Sequence, residues 1–204
     1  KNILLVDLDP QSSLTSSIGL KNQSFKYTVY DLLKGEVAVE EAVLKYNGVQ
    51  VIPSSIDLSG ADIELSGIPG RELLLKEALS GVVGRYDCIL IDCPPSLGML
   101  TLNAMTAAHR IIIPIQPEYL PLEGVKMLLE TLDIVKKRLN KGLEISGVIV
   151  TMYDPRQKLG REVMETIRGY FKEKVFTTYI RKNVSLAEAP GFGQDIYQYK
   201  PDSI

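Results

Sequence analysis

The chain has 204 residues, 45% of them hydrophobic and 24% charged, with a net charge of −2 and no tryptophan. A chain of that size buries roughly 70% of its unfolded surface, so folding needs neither disulfides nor a metal, and the apolar content excludes disorder. No apolar run approaches a membrane span, and Cys88 and Cys93 form no Cys-x-x-Cys pattern, so neither a zinc site nor a disulfide framework is indicated and the chain reads as cytoplasmic.

In chain order, Ile3-Leu4-Leu5-Val6 predicts a first strand and residues 12–18 a helix. Val49-Gln50-Val51-Ile52 predicts a second strand, followed by helices over 57–66 and 70–82. Cys88-Ile89-Leu90-Ile91 is a third strand before a helix at 98–108, and 111–115 a fourth before a helix at 120–140. The last pair is a strand over 145–150 and a helix over 158–173. The strands are continuously apolar rather than alternating, as expected where a parallel sheet is covered on both faces. Strand-helix alternation implies βαβ units with right-handed crossovers, hence an α/β fold: a doubly wound, mostly parallel sheet with helices on both faces. One domain over 1–204 is expected. Both ends read as cut, since the chain opens almost inside a strand and stops at Pro201-Asp202-Ser203-Ile204, so it is expected to be part of a longer polypeptide.

Ligands of such folds sit beyond the carboxyl ends of the strands. Two of these tips are acidic: Asp7-Leu8-Asp9-Pro10-Gln11 and Asp92-Cys93-Pro94-Pro95-Ser96. A carboxylate there is costly unless it meets a metal, phosphate-bound water or a helix N-terminus. Four apolar residues ending in Asp92 make a Walker B pattern, in which the carboxylate holds the magnesium of a nucleotide; a strand-end Asp capping the next helix matches equally well. Two carboxylates at i and i+2 point to opposite faces unless the strand ends between them, so one of Asp7 and Asp9 can be structural while the other faces a bound group. A haloacid dehalogenase-type phosphatase also uses Asp-x-Asp after its first strand, but its second acidic pair has no counterpart here.

Taken together these segments resemble the ParA/Soj family of deviant Walker ATPases, relatives of MinD, over nearly the whole chain. Asp7-Leu8-Asp9-Pro10-Gln11 with Leu14-Thr15 and Gly19-Leu20 is similar to the switch I motif. Tyr86 to Gly98 is similar to Walker B and switch II, and Ile113-Pro114-Ile115-Gln116-Pro117-Glu118-Tyr119 with Leu122-Glu123-Gly124 to the next block. Asn183-Val184 with Leu186-Ala187-Glu188-Ala189-Pro190 and Gly193 is similar to the last. The resemblance implies ATP and Mg2+ as cofactors. It implies that Asp9 orients the attacking water as the catalytic residue and that Asp92 is the metal residue, supported by Asp7. Gln11 and Pro94 carry over as nucleotide-binding positions, and Thr151, Met152 and Arg181 as neighbours of the adenine; Met152 reads equally well as core filler. Ile180-Arg181-Lys182-Asn183 departs from the Ile-Pro-Arg-Asn of many members, and Ser185 stands where many have a basic residue. The family's phosphate loop, Lys-Gly-Gly-x-Gly-Lys-Thr, is expected ahead of the first strand; no such run occurs in these 204 residues, and Gly67-Ile68-Pro69-Gly70-Arg71 lacks both its spacing and its Lys.

Charge is uneven. Residues 1–155 hold 14 Lys and Arg against 19 Asp and Glu, whereas residues 156–182 hold 8 against 3. Arg161, Arg168 and Lys172 recur at helical spacing, with Lys174 and Lys182 after them, so this stripe is a candidate anion-binding face for DNA phosphates; a solvated helix face fits the same pattern. The resemblance implies an ATP-dependent homodimer that binds non-specific DNA, a ParB-like centromere-binding protein as partner, and a cytoplasmic, nucleoid-associated location with no membrane contact. Two alternatives stay open: a MinD-like positioning ATPase, which needs a C-terminal amphipathic helix, and a non-catalytic module that keeps only DNA or partner contacts.

Overall fold

The computed structural model of the chain describes residues 1–21, 23–118 and 121–203, with Pro121, Leu122 and Glu123 described by their backbone alone. The motif positions Tyr119, Leu122 and Glu123 therefore lie outside the described residues or side chains. The chain forms two compact units, Lys1–Ala107 with Ala189–Asp195, and Ala108–Glu188 with Ile196–Ile204.

The first unit carries a four-stranded sheet in the order β2-β3-β1-β4. β1 (Ile3–Asp7) lies between β3 (Val49–Ile52) and β4 (Cys88–Asp92), parallel to both. β2 (Leu44–Tyr46) is antiparallel to β3 and absent from the sequence reading. Its signal is the Asn47-Gly48 pair, with φ of 47° and 79°, as a two-residue hairpin requires. Leu4, Val6, Leu8, Val51 and Ile52 are fully buried, so β1 and β3 build the core as expected. β4 differs: its burial alternates, and Leu90 is 49% exposed. Ile89 and Ile91 pack against the core from one face, and Cys88, Leu90 and Asp92 alternate onto the other, in a strand at the edge of this sheet.

Helices flank this sheet. α1 (Ser13–Thr15) runs into a wide turn over Ser16–Leu20, and α2 (Val29–Leu33) starts from a capping box in which Thr28 N donates to Asp31 Oδ2 at 2.7 Å. The short α3 (Val39–Ala42), like α2, was not expected. α4 (Ala61–Glu64) sits within a helical run from 56 to 67, and α5 (Leu74–Leu79) and α6 (Met99–Ala107) follow the predicted positions. Fully buried Asn103 ties the last two together: its Oδ1 accepts from Leu75 N at 3.0 Å, and its Nδ2 donates to Arg71 O at 2.8 Å.

In the second unit β5 (Arg110–Ile115) pairs in parallel with β6 (Glu144–Val150), with an irregularity between Ile111 and Ile112 that brings Ile112 opposite Gly147. α7 (Pro121–Arg138) and α8 (Lys158–Phe171) supply its helices. Val148, Val150, Ile113 and Ile115 pack with Val163, Met164, Ile167 and Phe171. Residues 174–182 run along the outer edge of β6, where Phe176 N donates to Val148 O at 2.9 Å and Ile180 N to Val150 O at 2.8 Å. α9 (Val184–Glu188) and α10 (Ile196–Tyr199) complete the chain. The architecture is thus α/β, with mostly parallel strands flanked by helices.

Candidate functional site

The acidic tips come together because β1 and β4 are register partners through their last residues, Asp7 opposite Asp92. Leu8 N then donates to Asp92 O at 2.8 Å, which holds the two strand ends side by side. Asp7 is fully buried, and its carboxylate is consumed locally. Oδ2 accepts from Thr15 N at 2.8 Å and from Thr15 Oγ1 at 2.6 Å, and Oδ1 accepts from Asp9 N at 3.2 Å. Thr15 Oγ1 in turn accepts from Ser54 N at 3.1 Å, so Asp7 ties the tips of β1 and β3 to the first helix. Sequence reasoning missed Thr15 and Ser54 in this role; a hydroxyl eight residues after the buried Asp is a weak signal without the fold.

Asp9 is half-buried one step beyond the strand, where the chain turns sharply. Its Oδ1 accepts from Gln11 N at 2.9 Å and its carbonyl from Ser12 N at 2.9 Å, while Ser12 takes a left-handed φ of 53°. This turn fixes the Asp9 side chain at the tip and leaves Gln11 exposed. Asp92 is exposed at its strand end, yet partial desolvation, and then the charges of Asp7 and Asp9, push its pKa up. The same surroundings push the Cys93 thiol up to about 12, chiefly through burial. Pro94 follows in the half-buried loop leading to α6.

A carboxylate held among other carboxylates binds a cation more readily than an isolated one, because the cation relieves their repulsion. Among the described residues no three or more His, Cys, Asp or Glu side chains form a closed metal cage. A hard ion such as Mg2+ uses one or two carboxylates and completes its shell with water and substrate phosphates, and carboxylates at the paired strand ends are donors of that kind. Phosphate-cradling amides of a Gly-rich loop are not among these residues.

The remaining nucleotide candidates lie in the second unit. Thr151 N donates to Ile115 O at 2.9 Å and so stands at the paired ends of β5 and β6. Met152 has a left-handed φ of 53° and is 56% exposed, which weighs against a core-filling role. Tyr153 N donates to Ile180 O at 3.0 Å and Lys182 N to Tyr153 O at 3.2 Å, drawing exposed Arg181 beside this tip. A small cavity of about 60 Å³ opens here among Pro117, Glu118, Met152, Asp154, Gln157 and Lys182. Hydrogen bonds from the Arg156 side chain and backbone hold the Asp154 carboxyl down at about 2.

The basic stripe is interleaved with acids. Arg161, Arg168, Lys172, Lys174 and Lys182 are all exposed. Arg161 Nη1 donates to Pro155 O at 2.8 Å and Lys174 Nζ to Ile145 O at 3.0 Å, so both cations also serve the fold. Lys158 pairs with Glu162 across one turn at 3.7 Å, and Glu165 also lies on the exposed side of α8. Lys172 ends the helix at a positive φ of 50°.

Comparison with known proteins adds the following. The family model described as an AAA domain matches residues 1–145. The chain is 46% identical over 205 residues to the sporulation initiation inhibitor protein Soj of Bacillus subtilis, spanning 100% of this chain and 81% of that protein. It is 49% identical over 202 residues to the chromosome-partitioning ATPase Soj of Treponema pallidum, spanning 98% and 78%. Among solved structures, the cobyrinic acid a,c-diamide synthase of Mycobacterium smegmatis with bound ATP analog and magnesium superimposes with a TM-score of 0.85 at 35% identity, covering 100% of this chain and 86% of that one.

Proposed function

The chain belongs to the ParA/Soj family of partition ATPases, and from that premise we propose that it is the greater part of an ATPase that moves DNA in chromosome or plasmid partition. The observation that carries the reading is the pairing of the Asp7–Asp9 tip with Asp92 on neighbouring parallel strands. When bound, ATP supplies the phosphoryl group and Mg2+ the charge that offsets its oxygens. Asp92 holds the metal side of the site, and its raised pKa marks a carboxylate that gains from a cation. Asp9 accepts a hydrogen bond from the attacking water and orients it. Asp7 touches no ligand; through Thr15 and Asp9 N it fixes where Asp9 stands. Gln11 and Pro94 border the nucleotide.

The ATP-bound form is a homodimer that holds DNA phosphates through Arg161, Arg168, Lys172, Lys174 and Lys182, and hydrolysis releases it. A ParB-like centromere-binding protein stimulates that step, and the protein works in the cytoplasm on the nucleoid. Among the described residues no helix is long and apolar enough to cross a membrane. The test is Asp9→Ala in the full-length polypeptide. ATP binding stays within a few-fold of wild type while turnover falls by about 10²-fold or more, the scale of a positioned acid–base group. Loss of ATP binding itself would assign Asp9 to the metal or to the fold.

A further inference from the structure

β1 has β4 on one side and β3 on the other, and the chain leaves the tip of β3 through Pro53-Ser54-Ser55. The backbone there is held at three points. Pro53 O accepts from Val29 N at 2.9 Å, Ser54 N donates to Thr15 Oγ1 at 3.1 Å, and Ser55 O accepts from Leu58 N at 3.1 Å. Ser54 is only 2% exposed, and its buried Oγ has no hydrogen-bond partner among the described residues. A hydroxyl buried unpaired costs stability, and a backbone pinned on both sides cannot shift to find it a partner. Two acceptor positions beside it are also open. An ionised carboxylate offers about four lone-pair positions, and Asp7 uses two on Oδ2, for Thr15 N and Thr15 Oγ1, but one on Oδ1, for Asp9 N. Thr15 Oγ1 donates to Asp7 and accepts from Ser54 N, which leaves its second lone pair free. Among the described residues no cation pairs with Asp7, so hydrogen bonds alone compensate its burial within the chain.

We propose that Ser54 holds one internal water that completes the hydrogen bonding of Asp7, and that Ser54 is thereby a positioning residue for the reaction. One water satisfies the open donor and both open acceptors. It accepts from the Ser54 hydroxyl and donates to Asp7 Oδ1 and to Thr15 Oγ1, the three bonds typical of a buried water. The consequence falls on Asp9. Its N–H meets Asp7 Oδ1 at 3.2 Å, the longest of the three bonds to this carboxylate, so a turn of the Asp7 side chain is felt first at Asp9. Thr15 fixes Oδ2, and the water fixes Oδ1 to the tip of β3, which stops that turn. Ser54 touches neither nucleotide nor metal in this arrangement and acts through Asp7. The positioning role rests on the ATPase reading above, whereas the water site rests on Ser54, Asp7 and Thr15 alone.

Crystals of the full-length protein without nucleotide, diffracting well enough to show ordered water, test the site directly. Density lies within hydrogen-bonding distance of Ser54 Oγ, Asp7 Oδ1 and Thr15 Oγ1; no density there, or Ser54 Oγ bonded straight to Asp7, overturns the proposal. Urea unfolding gives a test of sign. Removing an unpaired buried hydroxyl leaves the midpoint unchanged or raises it, whereas removing a bonded one lowers it, so Ser54→Ala lowers the midpoint. Ser54→Cys fills the same space with only a weak donor and also stays below wild type. A rise or no change in Ser54→Ala, or full recovery in Ser54→Cys, which would make volume the cause, overturns the proposal. In Ser54→Ala turnover falls by about tenfold while ATP affinity stays within about twofold, as expected when a reacting group is misplaced by a fraction of an ångström. Unchanged turnover, or turnover and affinity lost together, removes the positioning role. A wild-type protein that carries the water yet hydrolyses no ATP refutes the ATPase reading and leaves the water site standing.

Discussion

Thr15→Val tests whether the Asp7–Thr15–Ser54 link holds the acidic tip. Valine keeps the shape of threonine but deletes the hydroxyl, which donates to Asp7 at 2.6 Å and accepts from Ser54 N at 3.1 Å. Loss of a hydrogen bond to a charged, fully buried carboxylate costs about 1.5–3 kcal/mol, and an orphaned buried N–H about 1–3 kcal/mol more. Because Thr15 N still donates to Asp7 at 2.8 Å, the carboxylate is not abandoned, and the lower halves of those ranges apply. The expected destabilisation is about 2.5–4 kcal/mol, a large share of a typical domain stability of about 5–15 kcal/mol. Urea unfolding of the full-length protein measures it, followed by far-ultraviolet circular dichroism and by tyrosine fluorescence so that non-coincident transitions of the two compact units are visible. Thr15→Ser keeps the hydroxyl and loses less than about 1 kcal/mol. ATP affinity changes little in Thr15→Val while turnover falls, since Asp9 loses its fixed position. A Thr15→Val protein within about 0.5 kcal/mol of wild type would refute the link as the anchor of Asp7.

Gly193 has a φ of +63°, and a Cβ there would lie 2.6 Å from Gly19 Cα, so Gly193→Ala combines backbone strain with a clash against backbone and lowers stability by about 2 kcal/mol or more in the same urea assay. The raised pKa of Asp92 means that the folded protein binds this proton more tightly than the unfolded chain, so its contribution to stability declines as pH rises from the ordinary carboxylate range through the raised value. Asp92→Asn removes that decline, which unfolding midpoints measured over the pH series report, and added Mg2+ restores stability to wild type but not to the variant. Arg168→Glu with Lys172→Glu, both exposed and with no ion pair among the described residues, reduces the log–log salt slope of DNA binding by about 1.8, at about 0.9 per lost phosphate contact, without affecting ATP affinity; an unchanged slope removes these two residues from the DNA face.

Amino-acid order alone determines the strands that carry the chemistry. The runs before Asp7 and Asp92 are apolar enough to pair only inside a sheet, and an acidic residue directly after such a run must sit at its carboxyl tip, so both tips follow from local pattern. The same holds for α6, α7 and α8, whose lengths and spacing leave no other element. Sequence did not reveal α2, α3 or β2, which are three to five residues long and owe their existence to packing against neighbours rather than to propensity. Only the tertiary structure decided which carboxylate is the buried one. Two acids separated by one residue are equivalent in sequence, and it is Thr15, reaching back from the first helix, that consumes Asp7 and leaves Asp9 at the tip. The basic segment shows the same division of labour. Its net charge is visible in the composition, and Arg161 meets the carbonyl of Pro155 only six residues back, but that Lys174 binds the Ile145 carbonyl follows from where the chain after α8 returns along β6, a non-local contact with no periodicity to announce it.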